Sequence, residues 1–576
     1  MNVSHAEVLK QIYLSNGRTQ KELLKTTGYP PHKLKDIEEQ LISDGLITSN
    51  LKATFQGRKV MINSAPKRAI ILAAGDGRGL TPLNFDLPKG LLKVRGERLI
   101  EREIKQLHAH NVLDITLVVG VMAEKYNYLH EKFQVNIVEN ADFDKTDSLA
   151  SLALVKYQLN NCYIVPCDVY FLEDPFSSYE LYSWSGIQGS KFKNGQISRE
   201  EPSALGLAYV TKNTGQRLQD RLDKVCNDSL HKHDSWDFCL LDQNEGDNNL
   251  KIFPADTVRE IDTYDDLRAF DPASPNLNNE ALTIIERCLD VLPKDITNVV
   301  PAKKGMTNRS FIFQCHGKKY MMRIPGEGTG QLINRNHEYN VYQVLHGREL
   351  SDPVYYLDPS NGFKLTGFLP QARNCDPNDE NDVFLCMQML RKFHELGLQV
   401  NHRFDLADQI ENYEKLFAYG RSKYPDYEET KANVKKLIHY VNTLPRRSVL
   451  CHIDANCDNF IFYGGCDGSE KLCLIDWEYA GMQDPDIDIA MFALYSHYDQ
   501  QQTDQLIAAY YPEGCALDTR YKIYSYVAIC GLLWSNWCEF KASFGIDFGK
   551  YSLHQYLSAK KYYQLVASHI PLGEIN

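Results

Sequence analysis

The stretch CHIDANCDNFIFYGG, residues 451–465, followed by LCLIDWEYAG at residues 472–481, decides how the second half of this chain is read. His452, Asp454 and Asn459 stand in the spacing H-x-D-x-x-x-x-N, and Asp476 comes after the apolar run KLCLI. Phosphoryl transfer needs a carboxylate to accept a hydroxyl proton, and an amide and a second carboxylate to hold Mg2+ against the phosphates of ATP. Asp454, Asn459 and Asp476 fill those roles in that order. An H-x-D triplet alone is common, but this spacing followed by a strand and an aspartate is rarely accidental.

The residues upstream agree. RSFIFQCHGKKYMMRIPG reads as short strands and the remainder of the chain as largely helical, the order of a two-lobed, kinase-like fold. GMTNRSFIF, with Asn308, supplies the turn that covers the nucleotide. YMMRIPG puts Arg323 where a lysine usually meets ATP, which keeps the charge and changes the geometry. RIPG, LINR and the glutamate after them resemble bacterial choline kinases, and the resemblance pairs Glu338 with Arg323. GLLWSNWCEF sets Trp534 and Trp537 three apart on one helix face. Such a face binds quaternary ammonium by cation–π attraction. Choline kinases are similar in carrying W-x-x-W there; the competing reading is two tryptophans packed in a core. Glu478 and Tyr479 are expected to complete the cage. Asp484–Asp488 resembles the acidic segment after the family's motif, or is a helix cap.

A second constellation lies far upstream, in AIILAAGDGRGLTPLNFDLPKGLL, residues 69–92. An apolar strand runs into Gly75, Gly77 and Gly79, so backbone N–H groups can approach a phosphate with no side chain between them. Lys89 adds a fixed positive charge for a triphosphate. With the spaced P-K-G-L-L, this stretch resembles the sugar-phosphate and phosphocholine nucleotidyltransferases, and the resemblance extends over residues 67–270. The chain departs from their signature at Arg78-Gly79, where a small residue and then arginine are usual, and at Asn84; Arg78 is a nucleotide contact only by resemblance. Nucleotidyl transfer joins two anionic reactants and so calls for a divalent cation. By resemblance Asp168, after the strand CYIVP, and Asp262, in REIDT, hold it. Trp236 is either a second ammonium platform or core, and the resemblance puts Thr146-Asp147-Ser148 near the place where the family holds its nucleotide.

The chain has 576 residues, 43% hydrophobic and 24% charged, which suits three or four soluble domains. The expected architecture is multidomain α/β and α+β. Residues 1–64 form a winged helix-turn-helix-like unit of three helices and a wing-like hairpin, ITSNLKATFQGRKVMI, with Leu23, Leu24, Leu34, Ile37, Leu41 and Ile42 inside. Residues 67–271 form a Rossmann-like nucleotidyltransferase domain on a parallel sheet, residues 272–279 a linker, and residues 280–576 the kinase-like domain. A net charge of −12 speaks against a protein devoted to nonspecific binding of nucleic acid or anionic membrane. Lys33 and Lys35 leave a nucleic-acid partner open for residues 1–64, although Asp36, Glu38 and Glu39 share their helix. The 15 cysteines contain no CxxC pair, and the N-terminus has no signal-peptide core, so a cytoplasmic, reducing setting is expected.

Together the two resemblances imply ATP-dependent phosphorylation of choline and CMP transfer from CTP to phosphocholine, with Mg2+ at both sites. The rivals are aminoglycoside, sugar-phosphate or ethanolamine substrates on the same folds, and a DNA-binding regulator that senses choline or nucleotide. A homo-oligomer stays open.

Overall fold

A computed structural model describes residues 2–189, 192–193, 196–197, 203–226, 235–240, 249–302, 308–326, 329–417, 420–464, 470–543 and 548–573. The chain divides into two compact units, Met1–Thr283 with Val299–Pro301, and Ile284–Asn298 with Ala302–Asn576.

The first unit begins with helices Val3–Leu14, Gln20–Thr27 and Pro31–Ser43. Thr19 and Glu22 cap the second helix reciprocally, satisfying two otherwise orphaned backbone donors. The expected wing is not a hairpin: Ile47 and Ala53 form one isolated antiparallel bridge, and Phe55–Asn63 is a fourth helix. Thr54 supplies the reason, since its side chain accepts from Gly57 N–H and starts a helix where the pattern suggests a return strand. Leu23, Leu34, Ile37 and Leu41 are buried, whereas Ile42 is exposed, because the buried positions of its helix repeat as 34, 37, 38 and 41. Tyr179 and Leu181 pack against this small core, so residues 1–64 are built into the unit rather than tethered to it.

Behind them stands a seven-stranded sheet in the order Asn249–Phe253, Trp184–Gln188, Ser203–Val210, Cys162–Pro166, Arg68–Ala73, Asp114–Val119, Asn136–Glu139. Its last four strands are parallel; Cys162–Pro166, Arg68–Ala73 and Asp114–Val119 read as near-continuous apolar runs, as strands covered on both faces must, while the edge strand Asn136–Glu139 is only half-buried. Ser203–Val210 runs antiparallel to both of its neighbours, making the sheet mixed. The expected linker at 272–279 is tied down: Ser274 Oγ donates to Lys93 O (2.7 Å) and Lys93 N–H to Asn276 Oδ1 (2.8 Å). Its polar residues serve as hydrogen-bond partners, which composition alone does not distinguish from a solvated tether.

In the second unit, strands Asn308–Cys315, Lys318–Pro325, Lys364–Gly367 and Val354–Leu357 pair antiparallel in that order, with helix Arg335–Leu345 in the same lobe. The remainder is mainly helical. Two small antiparallel pairs, Phe460–Tyr463 with Lys471–Leu474 and Val449–Cys451 with Gly481–Gln483, frame the H-x-D-x-x-x-x-N segment and Asp476. The 26-residue helix Leu517–Ala542 is buried almost throughout, so its apolar residues run all round it. Among the described residues no helix is long and apolar enough to cross a membrane.

Gly215, at the start of helix Lys212–Val225, packs so closely that an added Cβ would lie 1.8 Å from Leu159 O. Gly215→Ala is therefore expected to cost about 1–3 kcal/mol of stability in the first unit, read as a lower unfolding midpoint in denaturant.

Candidate active sites

In the first unit the parallel pairing of Arg68–Ala73 with Cys162–Pro166 sets Leu72 opposite Pro166. Both strands end on the same edge, so Gly75 and Asp168 emerge side by side. Val169–Phe171 then pairs with Val258–Glu260, and Ile261 N–H donates to Asp168 O (2.9 Å), which carries Asp262 to the same place. Lys89 closes the group, bonded through Nζ to Asp168 and lying 3.3 Å from Asp262 Oδ1. Burial opposes the charge on Lys89, but the carboxylates of Asp168 and Asp262 more than offset it and hold the ammonium above the usual lysine range. Burial and the charge of Asp168 push Asp262 up. Two carboxylates forced together offer hard oxygen donors, the chemistry that Mg2+ takes.

The glycines matter by position. Gly77 has φ +61°, and a Cβ there would lie 3.2 Å from the Lys89 Cβ; at Gly79 a Cβ would lie 2.3 Å from Asp262 O. Gly75 opens onto a cavity of about 300 Å³ that Lys89, Asn140, Ser148, Trp236 and Glu260 also line. Arg78 is not brought in: its side chain is 74% exposed and bound to Asp76. Glu260 is a site residue that the sequence reading misses. Burial, then Asp262 and Asp168, push its carboxyl up to about 7. The signal is present in the chain, since residues two apart in extended backbone share a face.

In the second unit Arg323 is buried, with Nη1 2.6 Å from Glu338 Oε1. Burial works against both charges. The partner's charge and hydrogen bond, with Glu478 and Asp476 around Arg323 and Lys364 and Arg335 around Glu338, together outweigh it, so Glu338 is held below the usual carboxylate range and Arg323 above the usual arginine range. Arg335 bonds Glu338 (2.9 Å), Glu478 (3.2 Å) and Asn308 Oδ1 (3.2 Å), and Asn308 Nδ2 donates to Glu478 (3.0 Å). Glu478 thus joins Asn308, Arg323 and Arg335 through its carboxylate, and it is Tyr479 that meets the tryptophans. Gly305, Met306 and Thr307 of the expected covering turn lie outside the described residues.

The register Phe460↔Leu474, with Ile475 N–H donating to Asn459 O (2.9 Å), draws Asn459 toward Asp476. Asn459 Nδ2 donates to Asp454 O (2.8 Å) and to Asp454 Oδ2 (3.2 Å). Loss of water, then Asp476 and Glu478, push the Asp454 carboxyl up to about 8, against the hydrogen bonds of Asn456 and Asn459. His452 is fully buried, and its Nε2 bonds Ile475 O (2.9 Å), so its ring braces the chain just before Asp476. Ile453 has φ +71° and Asp476 φ +66°, a left-handed backbone that costs a β-branched residue energy. Asp488 holds the first of these bends, accepting from His452 N–H (2.8 Å) and Ile453 N–H (2.7 Å) while His394 Nε2 lies 2.9 Å away. The acidic segment 484–488 is therefore a brace on the loop. Asp484 and Asp486 are spent on Lys522, at 2.8 and 2.9 Å.

Trp534 and Trp537 lie 5.9 Å apart, and Tyr479 stands edge-on to Trp534 at 5.1 Å and accepts from Trp537 Nε1 (3.0 Å). Burial pushes the phenols of Tyr413, Tyr479 and Tyr551 above their usual range, and the charge of Asp454 adds to it in all three. An aromatic wall thus stands within the field of the Asp454 carboxylate.

Two family profiles match the chain: Choline/ethanolamine kinase over residues 299–512 and the MobA-like NTP transferase domain over residues 69–183. The chain is 28% identical over 228 residues to a choline-phosphate cytidylyltransferase of Streptococcus pneumoniae, covering 37% of this chain and all of that one. It is 26% identical over 271 residues to Protein LicA of Haemophilus influenzae, covering 44% of this chain and 98% of that one. The crystal structure of choline kinase LicA from Streptococcus pneumoniae covers 50% of this chain and 99% of its own at 27% identity and a TM-score of 0.43. Both halves are nucleotide-using transferase domains. The chain is a fusion of an N-terminal NTP-transferase domain of the cytidylyltransferase kind with a C-terminal choline-kinase domain, and so an enzyme.

If Asp488 holds the loop, Asp488→Asn, which keeps the shape and removes the charge, lowers the kinase rate about tenfold or more and leaves cytidylyl transfer by the same chain within twofold. Coupled assays of ADP and of pyrophosphate release read the two separately.

Proposed function

We propose that the kinase half transfers the γ-phosphoryl group of ATP to choline, and that the other half transfers CMP from CTP to the phosphocholine formed, giving CDP-choline and pyrophosphate. The observation that carries this reading is the wall of Trp534, Trp537 and Tyr479 beside Asp454. A quaternary ammonium has no N–H to donate and is held by aromatic faces, while its hydroxyl reaches a base. The cytidylyltransferase and choline kinase names of the relatives support the same pair of substrates. The domain limits we assign are 1–64, 67–271 and 280–576.

In the kinase half Asp454 accepts the hydroxyl proton as the choline oxygen bonds to the γ-phosphorus and the bond to the ADP oxygen breaks. Asn308, Arg323 and Glu338 position the nucleotide, and Asn459 and Asp476 would hold Mg2+. In the other half Gly75, Gly77 and Lys89 receive the triphosphate of CTP. A phosphocholine oxygen attacks the α-phosphorus in line and pyrophosphate leaves; Asp168 and Asp262 would hold the metal. Arg78 reaches the nucleotide in this scheme only by leaving Asp76. At both sites Mg2+, when bound, neutralises phosphate charge that these side chains alone do not cover. Trp236, lining the cavity with Lys89 and Glu260, offers the choline end of phosphocholine an aromatic face.

The test is one pot of purified protein, choline, ATP, CTP and Mg2+, with phosphocholine and CDP-choline followed by mass. Wild type is expected to make CDP-choline. Asp454→Ala loses about 100-fold or more in kinase rate and recovers CDP-choline when phosphocholine is added; Asp168→Ala stops at phosphocholine. Turnover of neither choline nor phosphocholine overturns the reading.

A further inference from the structure

Of the phenols of Tyr413, Tyr479 and Tyr551, all of which feel Asp454, one is buried with no hydrogen-bond partner among the described residues. Tyr479 OH accepts from Trp537 Nε1, and Trp534 Nε1 lies 3.0 Å from Met491 Sδ. Tyr413 is different: it is 2% exposed, and its hydroxyl has no hydrogen-bond partner among the described residues. Leaving a buried hydroxyl without a partner is costly, and such groups call for an explanation. Tyr413 belongs to helix Leu406–Lys415 and lines a cavity of about 730 Å³ together with Glu478, Tyr479 and Ala480, the segment just after Asp476. The carboxylates of Glu478 and Asp454 both act on its phenol. It therefore shares this cavity with Tyr479 of the aromatic wall and with the Glu478 carboxylate.

We propose that Tyr413 sets how far the kinase half tolerates loss of N-methyl groups, by accepting a hydrogen bond from the N–H of a primary, secondary or tertiary ammonium. This deepens the choline-kinase reading and rests on it. A fully methylated ammonium has no N–H and gains from the aromatic faces alone. Each methyl removed weakens that contact and supplies a donor, for which the buried, unpartnered phenol oxygen of Tyr413 is an acceptor. A hydrogen bond to a charged group is worth about tenfold or more in binding, enough to keep under-methylated amino alcohols as substrates.

Tyr413→Phe removes this oxygen and little else. The experiment measures kcat/KM for choline, N,N-dimethylethanolamine, N-methylethanolamine and ethanolamine in wild type and Tyr413→Phe, with thermal unfolding of both. The expected result is a rise of about tenfold in the choline-to-ethanolamine ratio, carried mainly by KM, the three N–H acceptors falling together and the unfolding midpoint not decreasing. An equal loss with all four acceptors overturns the proposal, since a packing role would move them alike, and so does a greater loss with choline. If wild type phosphorylates none of the four, the choline-kinase reading itself fails and takes this inference with it. If choline is phosphorylated but the ratio does not move, only the role of Tyr413 falls.

Discussion

Like charges held close together are the constraint on which both halves of this enzyme depend. Asp168 and Asp262 meet over Lys89, and Asp454, Asp476 and Glu478 crowd the second site: Asp168 raises the cost of ionising Asp262, and Asp476 that of ionising Asp454 and Glu478. Such clusters survive folding only where cations answer them. In the first unit the answer is one lysine held under a glycine loop. In the second it is two arginines: Arg323 on a strand and Arg335 at the start of a helix converge on Glu338 and Glu478, joining the strand layer to the helix and to the Asp476 segment. The carboxylate and amide oxygens gathered at each site are what a divalent ion would meet.

The two sites share this electrostatic logic and differ in how the backbone achieves it. In the first unit regular pairing does the work: parallel strands end on one edge, and a short antiparallel pair returns Asp262 to Asp168. In the second, two left-handed turns, at Ile453 and Asp476, aim the side chains, and strain of that kind persists only when the surroundings hold it. Asp488 supplies the hold for Ile453, backed by His394, and His452 braces the approach to Asp476. The histidine of the H-x-D triplet thus contributes support, and the carboxylate contributes the reactive group.

Most of the architecture was legible because its signals are local. Apolar runs bounded by glycine mark the parallel strands, and the H-x-D-x-x-x-x-N spacing marks a loop whose members lie within a few residues of one another. The failures are equally instructive. The stretch 47–62 alternates enough to suggest a hairpin, yet Thr54 caps a helix there, a choice between neighbouring hydrogen bonds of similar strength. Residues 272–279 have the composition of a tether, but Ser274 and Asn276 bond Lys93 some 180 positions earlier in the chain, a partner no local pattern reveals. Ile42 sits on a helix with buried neighbours and points away from them.

The sequence by itself determined the two catalytic folds, the glycine loop, the carboxylates and the tryptophan pair, because residue type and spacing within a strand, loop or helix turn are set by chain geometry alone. Only the tertiary structure decided that Glu478 joins the arginines while Tyr479 joins the tryptophans, that Arg78 turns outward to Asp76, that Asp488 braces the loop, and that Tyr413 lies buried without a partner among the described residues. Each of these depends on which distant segments pack together. Adjacent residues in a tight turn face different neighbours, and burial, which pushes up the carboxyls of Asp262, Glu260 and Asp454, belongs to the packed chain and not to any stretch of it.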